Sequence, residues 1–377
     1  MFCAATVKNC LNSFPLQDGA FTRLKPGANV RCPNRTCATG LGALLLALLT
    51  MLGCRAPEHA NLQRFEFEQP QMGLPFRIVL HAESQAIADT AARAAFARVA
   101  ELNQIFSDYE DDSELTLLSR TSGSGQAVKV SAELWRLLKV AEASFRRSDG
   151  AFDITVGPLV QVWRRTRRQR ELPAPEVLAE AKARVGWQKV VLDPHARTAM
   201  LLVPRMRLDL GSIAKGRALD EALRELRSHG ITRALVTGGG DMAIGDPPPG
   251  RTGWRIELAP LDAPGAPPTR FLSLRNCGFA TSGDLFQHVE LGGKRYSHIV
   301  DPRTGLGMTD HSLVVVIAPD CVTANSLSTT TCVVGPERGL ALVKATPGAS
   351  ARVVRKPGER VEASESPGFA RYYGLSK

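Results

Sequence analysis

The segment Leu208–Asp220, with the sequence LDLGSIAKGRALD, constrains the fold more than any other stretch of the chain. Its first three residues predict the end of a strand, the glycine permits a sharp turn, and Ser212 is a typical N-cap for the helix that follows. The positive end of that helix, with Asp209 just before it and Lys215 one turn in, would suit an anion such as a phosphate. The alternative is an ordinary strand–turn–helix with an Asp–Lys pair on its surface.

The N-terminal region predicts an export signal. Residues 41–53 form an apolar run of 13 residues, which is shorter than a membrane-spanning helix and typical of a signal peptide. The run ends in MLGC, which is similar to a bacterial lipobox, although Met51 stands where leucine is usual. We therefore predict a signal peptide over 1–53, with a true start downstream near Val30, and acylation of Cys54. The expected location is the periplasmic face of a bacterial membrane, and the alternatives are a plain signal peptide or a short anchor helix.

Composition places the chain among globular proteins, because 44% of its 377 residues are hydrophobic and 22% are charged. The formal charge of +10 and the five arginines within Arg164–Arg170 raise the question of nucleic acid. No interleaved aromatic residues accompany these arginines, so the run indicates a solvated loop and we expect no nucleic-acid partner.

The eight cysteines do not predict a disulfide framework, because five of them precede residue 55. The other three, Cys277, Cys321 and Cys332, have no metal-ligand spacing. They predict buried free thiols, or one disulfide and one thiol.

The predicted organisation after Cys54 is a tether over 55–63, a folded body over 64–345 and a C-terminal tail over 346–377. Within the body, Gly157-Pro158 follows a short run of β-branched residues, and we interpret this dipeptide as the end of that segment. The clearest periodic segments of the body predict two kinds of element. These are strands over Arg64–His81 (a pair) and Ser312–Ala318, and helices over Gln85–Phe106, Ala132–Ser148 and Thr323–Val334.

Two acidic or glycine-rich motifs are candidates for ligand contact. Asp153 lies between apolar neighbours in GAFDITVGPL, where an ionised carboxylate needs a partner, so it either caps a local turn or bonds a ligand. The sequence Gly238-Gly239-Gly240-Asp241 predicts a turn that exposes its backbone. Its spacing does not match a dinucleotide-binding glycine motif.

Two polar motifs near the C-terminal end of the body are candidates for chemistry. His298 and Asp301 lie in RYSHIVDPRTG, beside a turn that also offers Arg and Thr, which is a suitable setting for proton transfer. Asn325, Ser328 and Thr329 share one face at the start of a helix, where they offer three oxygens to a ligand or simply cap the helix.

Taken in order, these motifs resemble the FAD:protein FMN transferase family, the ApbE-like flavin transferases. The similarity extends from about Glu66 to Gly335 and rests on an ordered series of short motifs. They are Met72-Gly73, IFSDYEDDSEL, DGAFDITVGPLV, LDLGSIAKGRALD, GGGD, ATSGD, HIVDPRTG and a helix that starts with an Ala-x-x-Leu-Ser-Thr pattern. The resemblance implies an α/β (α+β) fold that is ApbE-like and T-fold-like, a two-part body of mixed sheets flanked by helices.

The resemblance also implies an activity. Members of the family cleave the pyrophosphate of FAD with Mg²⁺, pass FMN to a threonine hydroxyl of a membrane protein and release AMP. The positions that match the family's FAD contacts are Met72, Tyr109, Ala151, Phe152, Asp153, Asp209, Lys215 and Ile299. The positions that match its metal ligands are Ser212, Asn325, Ser328 and Thr329. His298 stands at the position implied for a catalytic base, and Asp301 is the second candidate catalytic residue.

One position departs from the family pattern. Asn325 stands where the family usually has aspartate, and Mg²⁺ favours anionic oxygens, so we expect weak metal binding unless Asp301 or the FAD phosphates compensate. Two alternatives to transfer therefore stay open: hydrolysis of FAD to FMN and AMP, and flavin binding without turnover. The sequence has no threonine acceptor motif of its own, so the expected acceptor is another protein.

Overall fold

A computed structural model describes residues 61–261, 270–285 and 287–374. The predicted signal peptide, Cys54 and most of the tether lie outside these residues. None of the helices that the structure describes is both long and apolar enough to cross a bilayer.

Antiparallel strands form the centre of the fold. The strands are β1 (Gln63–Gln71), β2 (Leu74–Ala82), β3 (Val128–Lys129), β4 (Val190–Asp193), β5 (Thr198–Leu201), β6 (Ala234–Gly238), β7 (Asp241–Ile244), β8 (Trp254–Leu258), β9 (Arg270–Leu274), β10 (Cys277–Gly283), β11 (His288–Leu291), β12 (Lys294–Ser297), β13 (Ser312–Ala318), β14 (Ser350–Arg355) and β15 (Glu362–Glu365). Eight of them form one sheet in the order β1-β2-β6-β7-β10-β13-β14-β15. Three smaller sheets are β3-β5-β4, β8-β9 and β11-β12.

Helices cover the main sheet and connect its strands. They are α1 (Gln85–Phe106), α2 (Glu114–Arg120), α3 (Ala132–Ser148), α4 (Gly157–Gln169), α5 (Pro175–Lys182), α6 (Ala214–Ser228), α7 (Cys321–Val334) and α8 (Pro336–Lys344). Helix α1 begins after Ser84, whose side chain accepts a hydrogen bond from the backbone of Ile87, and its buried residues recur at helical spacing.

Both faces of the main sheet are buried. Along β2, Ile78 and Leu80 contribute to the core shared with the helices, whereas Val79 contributes to a second core with β8 and β9. This alternation is the period of two that a strand imposes on its side chains. Because apolar contacts hold the sheet on both sides, the turns at its ends have a rigid support.

The predicted strand pair, the strand at β13 and the helices at α1 and α3 are confirmed, and so is the mixed α/β class. All strand pairs that the structure describes are antiparallel. The three cysteines of the body are free thiols, which decides between the two alternatives for them.

Three local predictions were wrong. Gly157-Pro158 begins helix α4 instead of stopping a segment, because proline is tolerated in the first turn of a helix, and the arginine run continues that helix to Gln169. Residues 208–210 are irregular rather than a strand end. Helix α6 begins at Ala214 with no side-chain cap, so Ser212 is not its N-cap.

The predicted C-terminal tail was also wrong. Strand β14 pairs with β13, and β15 pairs with β14, so the segment after residue 345 extends the main sheet. A 3₁₀ helix over Phe369–Tyr372 then packs Phe369 into the second core. The folded body therefore continues beyond the boundary predicted at residue 345.

Candidate functional site

A buried carboxylate, Asp241, joins three elements at the centre of the site. Its side chain is 1% exposed and lies at the start of β7. One oxygen accepts hydrogen bonds from Lys215 Nζ at 2.7 Å and from Asn325 Nδ2 at 2.8 Å. The other oxygen accepts from the backbone N–H of Thr281 at 2.9 Å. A cation on α6, an amide on α7 and the backbone of β10 thus satisfy one buried charge, as a buried charge requires.

Two glycines allow the β1–β2 turn to approach Lys215. Gly239 and Gly240 connect β6 to β7 with φ values of 57° and 92°, which favour glycine. A Cβ on Gly239 would lie 2.8 Å from Leu74 Cδ1 and 3.4 Å from Lys215 Nζ. Met72, the predicted FAD contact, lies in the β1–β2 turn with a φ of 51°, an uncommon value for a residue with a side chain.

The predicted metal ligands on α7 contact one another and a neighbouring strand. Ser328 Oγ lies 2.8 Å from Ser282 Oγ, which is 3.5 Å from Thr329 Oγ1. Ser328 also donates to the backbone oxygen of Asn325 at 3.0 Å. The hydroxyls of Ser328 and Thr329 are therefore close together. Within the described residues Ser212 makes no side-chain hydrogen bond to them.

These donors do not fit a Mg²⁺ ion. The Asn325 amide turns its nitrogen to Asp241, and its buried Oδ1 has no hydrogen-bond partner in the described part of the chain. That oxygen lies against α6, since a Cβ on Gly216 would be 2.6 Å from it. The other donors are neutral hydroxyls, whereas Mg²⁺ favours carboxylates. No cluster of three His, Cys, Asp or Glu side chains suited to a metal occurs among the described residues.

His298 has the properties of a neutral base. Its Nδ1 lies 3.1 Å from the backbone oxygen of Gln287, which can only accept, so we assign the ring proton to Nδ1 and a free lone pair to Nε2. Burial lowers the pKa of His298 to about 4, and the charges of Arg167 and Lys215 act in the same direction. The carbonyl of Gln287 and the carboxylate of Asp284 oppose that shift. The imidazole is therefore uncharged at neutral pH.

Asp301 has a structural role, because its carboxylate binds Arg303. Both of its oxygens accept hydrogen bonds at 2.9 Å from the guanidinium of Arg303, and one also accepts from the Arg303 backbone. Its own backbone bonds to Leu306 and Gly305 across the turn. A carboxylate saturated in this way holds the turn after His298, which argues against the predicted role of Asp301 as a catalytic acid or base.

Asp284 fixes the strands on either side of His298. It is 1% exposed and contacts the guanidinium of Arg295 on β12. Its other oxygen accepts from His311 Nδ1 at 2.8 Å and from the backbone of Ser312 on β13 at 3.0 Å. Asp284 thus ties the β11–β12 hairpin, which leads directly into His298, to the main sheet.

Two further predicted FAD contacts, Asp153 and Asp209, lie near the start of α4. Asp153 accepts from the backbone and hydroxyl of Thr155 and from the backbone of Trp187, so it caps a local turn, and burial raises its pKa. Asp209 accepts from the backbone of Gly211 at 2.8 Å and lies 3.5 Å from the guanidinium of Arg164. Burial, followed by the charge of nearby Asp108, raises the pKa of Asp209.

The other predicted FAD contacts differ in exposure. Ala151 and Phe152 have buried side chains, which leaves only their backbone for a ligand. Tyr109 is 51% exposed and donates to Asn103 Oδ1 at 3.0 Å. Ile299 is half-buried against the cluster between β13 and α7.

Three residues of the site were not among the predicted ones. Asp241 ends the GGGD motif and Asp284 ends the ATSGD motif, so the sequence contained a signal for both. Arg167 belongs to the arginine run that we interpreted as a solvated loop. Only the structure shows that one side of α4 faces His298.

The geometry defines a class of protein: a mixed α/β enzyme whose site combines a neutral histidine with partly buried cations, suited to an anionic substrate. A sequence model described as "ApbE family" matches residues 72–353. The chain therefore belongs to the ApbE family, as the resemblance predicted.

Relatives and solved structures agree with this membership. A protein of Treponema pallidum named FAD:protein FMN transferase is 30% identical over 341 residues, 86% of this chain and 92% of the relative. The protein of the same name from Escherichia coli K12 is 30% identical, over 88% of this chain and 96% of the relative. The flavin transferase ApbE of Vibrio cholerae superposes with a TM-score of 0.73 at 28% identity, covering 82% of this chain and 99% of that structure. The ApbE protein of Thermotoga maritima also gives 0.73, at 30% identity, with 83% and 100% covered.

Proposed function

We propose that this chain transfers FMN from FAD to a threonine hydroxyl of an acceptor protein, with His298 as the general base. The coarser activity follows from its family: the chain is an FAD:protein FMN transferase, like the relatives that carry this name. The threonine and the role of His298 are our proposals.

The observation that supports this mechanism is the state of His298. An imidazole whose Nδ1–H is held by the Gln287 carbonyl presents the Nε2 lone pair, and its low pKa keeps that lone pair free at neutral pH. A base with a pKa of about 4 is weak. When the dianionic diphosphate of FAD lies beside it, the negative charge raises the pKa of His298 and strengthens the base.

The reaction then balances as follows. The threonine oxygen attacks the phosphorus on the FMN side of the diphosphate, and its proton passes to Nε2 of His298. The bond from that phosphorus to the bridging oxygen breaks, and AMP leaves with that oxygen. The products are a phosphodiester between FMN and threonine, and AMP.

Lys215 is suited to offset the charge that develops on the leaving phosphate. Its ammonium is anchored by Asp241 at 2.7 Å, which fixes its position before substrate binds. A preorganised charge of this kind stabilises a transition state more than a mobile one, because nothing has to reorient during the reaction.

Mg²⁺ belongs to the family's reaction, but the neutral donors on α7 do not fit it, so we assign no step to the ion. The exported location and the lipid anchor at Cys54 rest on the sequence alone. They would place the enzyme on the same membrane as a redox-protein acceptor.

The test uses the purified full chain with FAD, with and without a threonine-bearing acceptor protein. AMP release and covalent flavin fluorescence are measured together. Both should appear only with the acceptor, and an acceptor whose threonine is changed to valine should give neither. AMP release without any acceptor would favour hydrolysis, and tight FAD binding with no AMP would favour a carrier.

His298→Ala tests the base. We expect the transfer rate to fall by about 100-fold or more, the range for loss of a general base, while FAD binding changes by about twofold or less. His195→Ala, at an exposed position between β4 and β5, is the matched control and should leave the rate unchanged. Loss of FAD binding in proportion to rate would make His298 a binding residue instead.

A further inference from the structure

Arg167 is a half-buried cation beside the proposed base. In the described residues no carboxylate lies within ion-pair distance of it, and its one side-chain hydrogen bond goes to the amide oxygen of Gln287 at 3.2 Å. Burial and the charge of Arg164 both lower the pKa of Arg167, so its surroundings disfavour its charge. Arg164, one turn earlier on α4, differs because Asp108 holds it at 2.5 Å.

Gln287 connects this unpaired cation to His298. The backbone oxygen of Gln287 accepts from the His298 backbone at 3.0 Å and lies 3.1 Å from the His298 ring, while its side chain accepts from Arg167. The guanidinium and the imidazole are therefore held by one residue. Lys215 is a second positive charge near the same imidazole, and it also lowers the pKa of His298.

A cation that is partly removed from water and has no counter-ion is costly unless a ligand supplies the opposite charge. The substrate of the proposed function carries such a charge in its diphosphate. A guanidinium can bind a phosphate group through two parallel hydrogen bonds. Arg167 is also fixed in place by a helix, which reduces the cost of positioning it.

We propose that Arg167 binds a phosphate oxygen of the FAD diphosphate and keeps hold of the AMP phosphate as it leaves. This inference rests on the proposed function. It gives the arginine run a specific role, because the Arg167 side chain would supply positive charge to a site whose neutral donors near Asn325 do not fit a metal.

The test compares ligands with and without the diphosphate. Arg167→Ala, Arg167→Lys and the control Arg168→Ala, an exposed neighbour on α4 without a side-chain hydrogen bond or ion pair in the described part, are prepared in the full chain. Dissociation constants for FAD, AMP and riboflavin are measured by flavin fluorescence and calorimetry in EDTA, so that no divalent ion contributes.

Arg167→Ala should weaken FAD binding by about tenfold or more, as expected for a lost hydrogen bond to a charged group, with riboflavin unchanged within about twofold. Weaker AMP binding in the same variant would place the contact on the adenylate side, as proposed. Unchanged AMP binding would overturn the part of the proposal in which Arg167 holds the leaving AMP phosphate. Arg167→Lys should recover part of the loss, because lysine keeps the charge without the planar fork.

Equal weakening of FAD and riboflavin would overturn the proposal, because it would show a general loss of structure. Unchanged FAD binding, or an equal loss in Arg168→Ala, would also overturn it. Failure of the proposed function is separate: the wild-type chain would then release no AMP with an acceptor, whatever the variants bind.

Discussion

Asp241 and Arg167 represent two ways of placing a charge in one site. Asp241 is almost fully buried, and each of its oxygens has a hydrogen-bond partner, including a cation at 2.7 Å. Arg167 is half-buried, and among the described residues its side chain bonds only to an amide oxygen, at 3.2 Å. The comparison separates two functions. Asp241, whose charge has a complete set of partners, stabilises the packing of α6, α7 and β10, whereas the charge of Arg167 is available to a ligand.

Removing the paired charge should have the largest effect on stability. Asp241→Asn leaves Lys215 without its counter-ion, and breaking a buried ion pair costs about 3 kcal/mol. Chemical denaturation should show that loss in the free energy of unfolding. The matched control is Asp111→Asn, which breaks an exposed pair with Arg120 and should cost less than about 1 kcal/mol. Equal losses in the two variants would remove the distinction we draw.

Asp220 is intermediate between Asp241 and Arg167, because its carboxylate is held by backbone N–H groups instead of a cation. It accepts from the backbones of Cys321 and Val322 at the start of α7, and burial raises its pKa to about 7. Since the folded state then binds the proton more tightly than the unfolded chain, this stability is present at low pH and is lost as the pH rises through 7.

Between pH 5 and 8 the wild type should therefore lose about 2.7 kcal/mol relative to Asp220→Asn, because roughly 1.36 kcal/mol is lost per pH unit between pH 5 and the folded pKa of about 7. Denaturant titrations at several pH values measure the difference. Parallel curves for the two proteins would mean that the Asp220 carboxylate is already ionised at pH 5.

Asn325→Asp tests how the site responds to a second negative charge beside Asp241. Without metal the two carboxylates repel, so the melting temperature should fall. With Mg²⁺ it should recover, and Mg²⁺ should bind about tenfold more tightly than to the wild type, because the ion favours anionic oxygens. Asn325→Ser removes the amide without adding charge and should show no such recovery. A Mg²⁺ response equal to that of the wild type would show that residue 325 does not face the ion.

The smallest expected effect is on the titration of His298. Arg167 and Lys215 lower its pKa, while Asp284 and the Gln287 carbonyl raise it. Arg167→Ala should therefore move the pKa of His298 upward from about 4, followed by NMR of the ring protons. Arg168→Ala should leave it in place. An unchanged value in Arg167→Ala would show that the two side chains do not share one environment.

The spacing of apolar residues along the chain was sufficient to predict the longer helices and strands. The bounds of α1 agree with its apolar spacing, and a capping serine marks its start. The sequence failed where a tertiary contact decides the outcome. Nothing in the neighbourhood of Asp301 distinguishes a proton-transfer role from its pairing with Arg303, and nothing in the arginine run marks Arg167 as the side chain that reaches Gln287.

For the candidate site, the sequence supplied the motifs but not the contacts between their side chains. The ordered motifs were sufficient to identify the family, and they include Lys215, Asn325 and His298. They could not show that Asn325 turns its nitrogen towards Asp241, because an amide and a carboxylate of the same size fit the same position and differ only in the atoms they present.

The last strands of the sheet have a consequence for how the protein matures. Strand β13, buried along its whole length, runs directly into α7, and β14 covers its outer edge. During synthesis residues 350–365 emerge after every candidate site residue, so β13 exposes an unpaired apolar edge until they arrive. A chain truncated after residue 345 would retain every candidate site residue. We nevertheless expect it to aggregate, because the edge of β13 would stay unpaired.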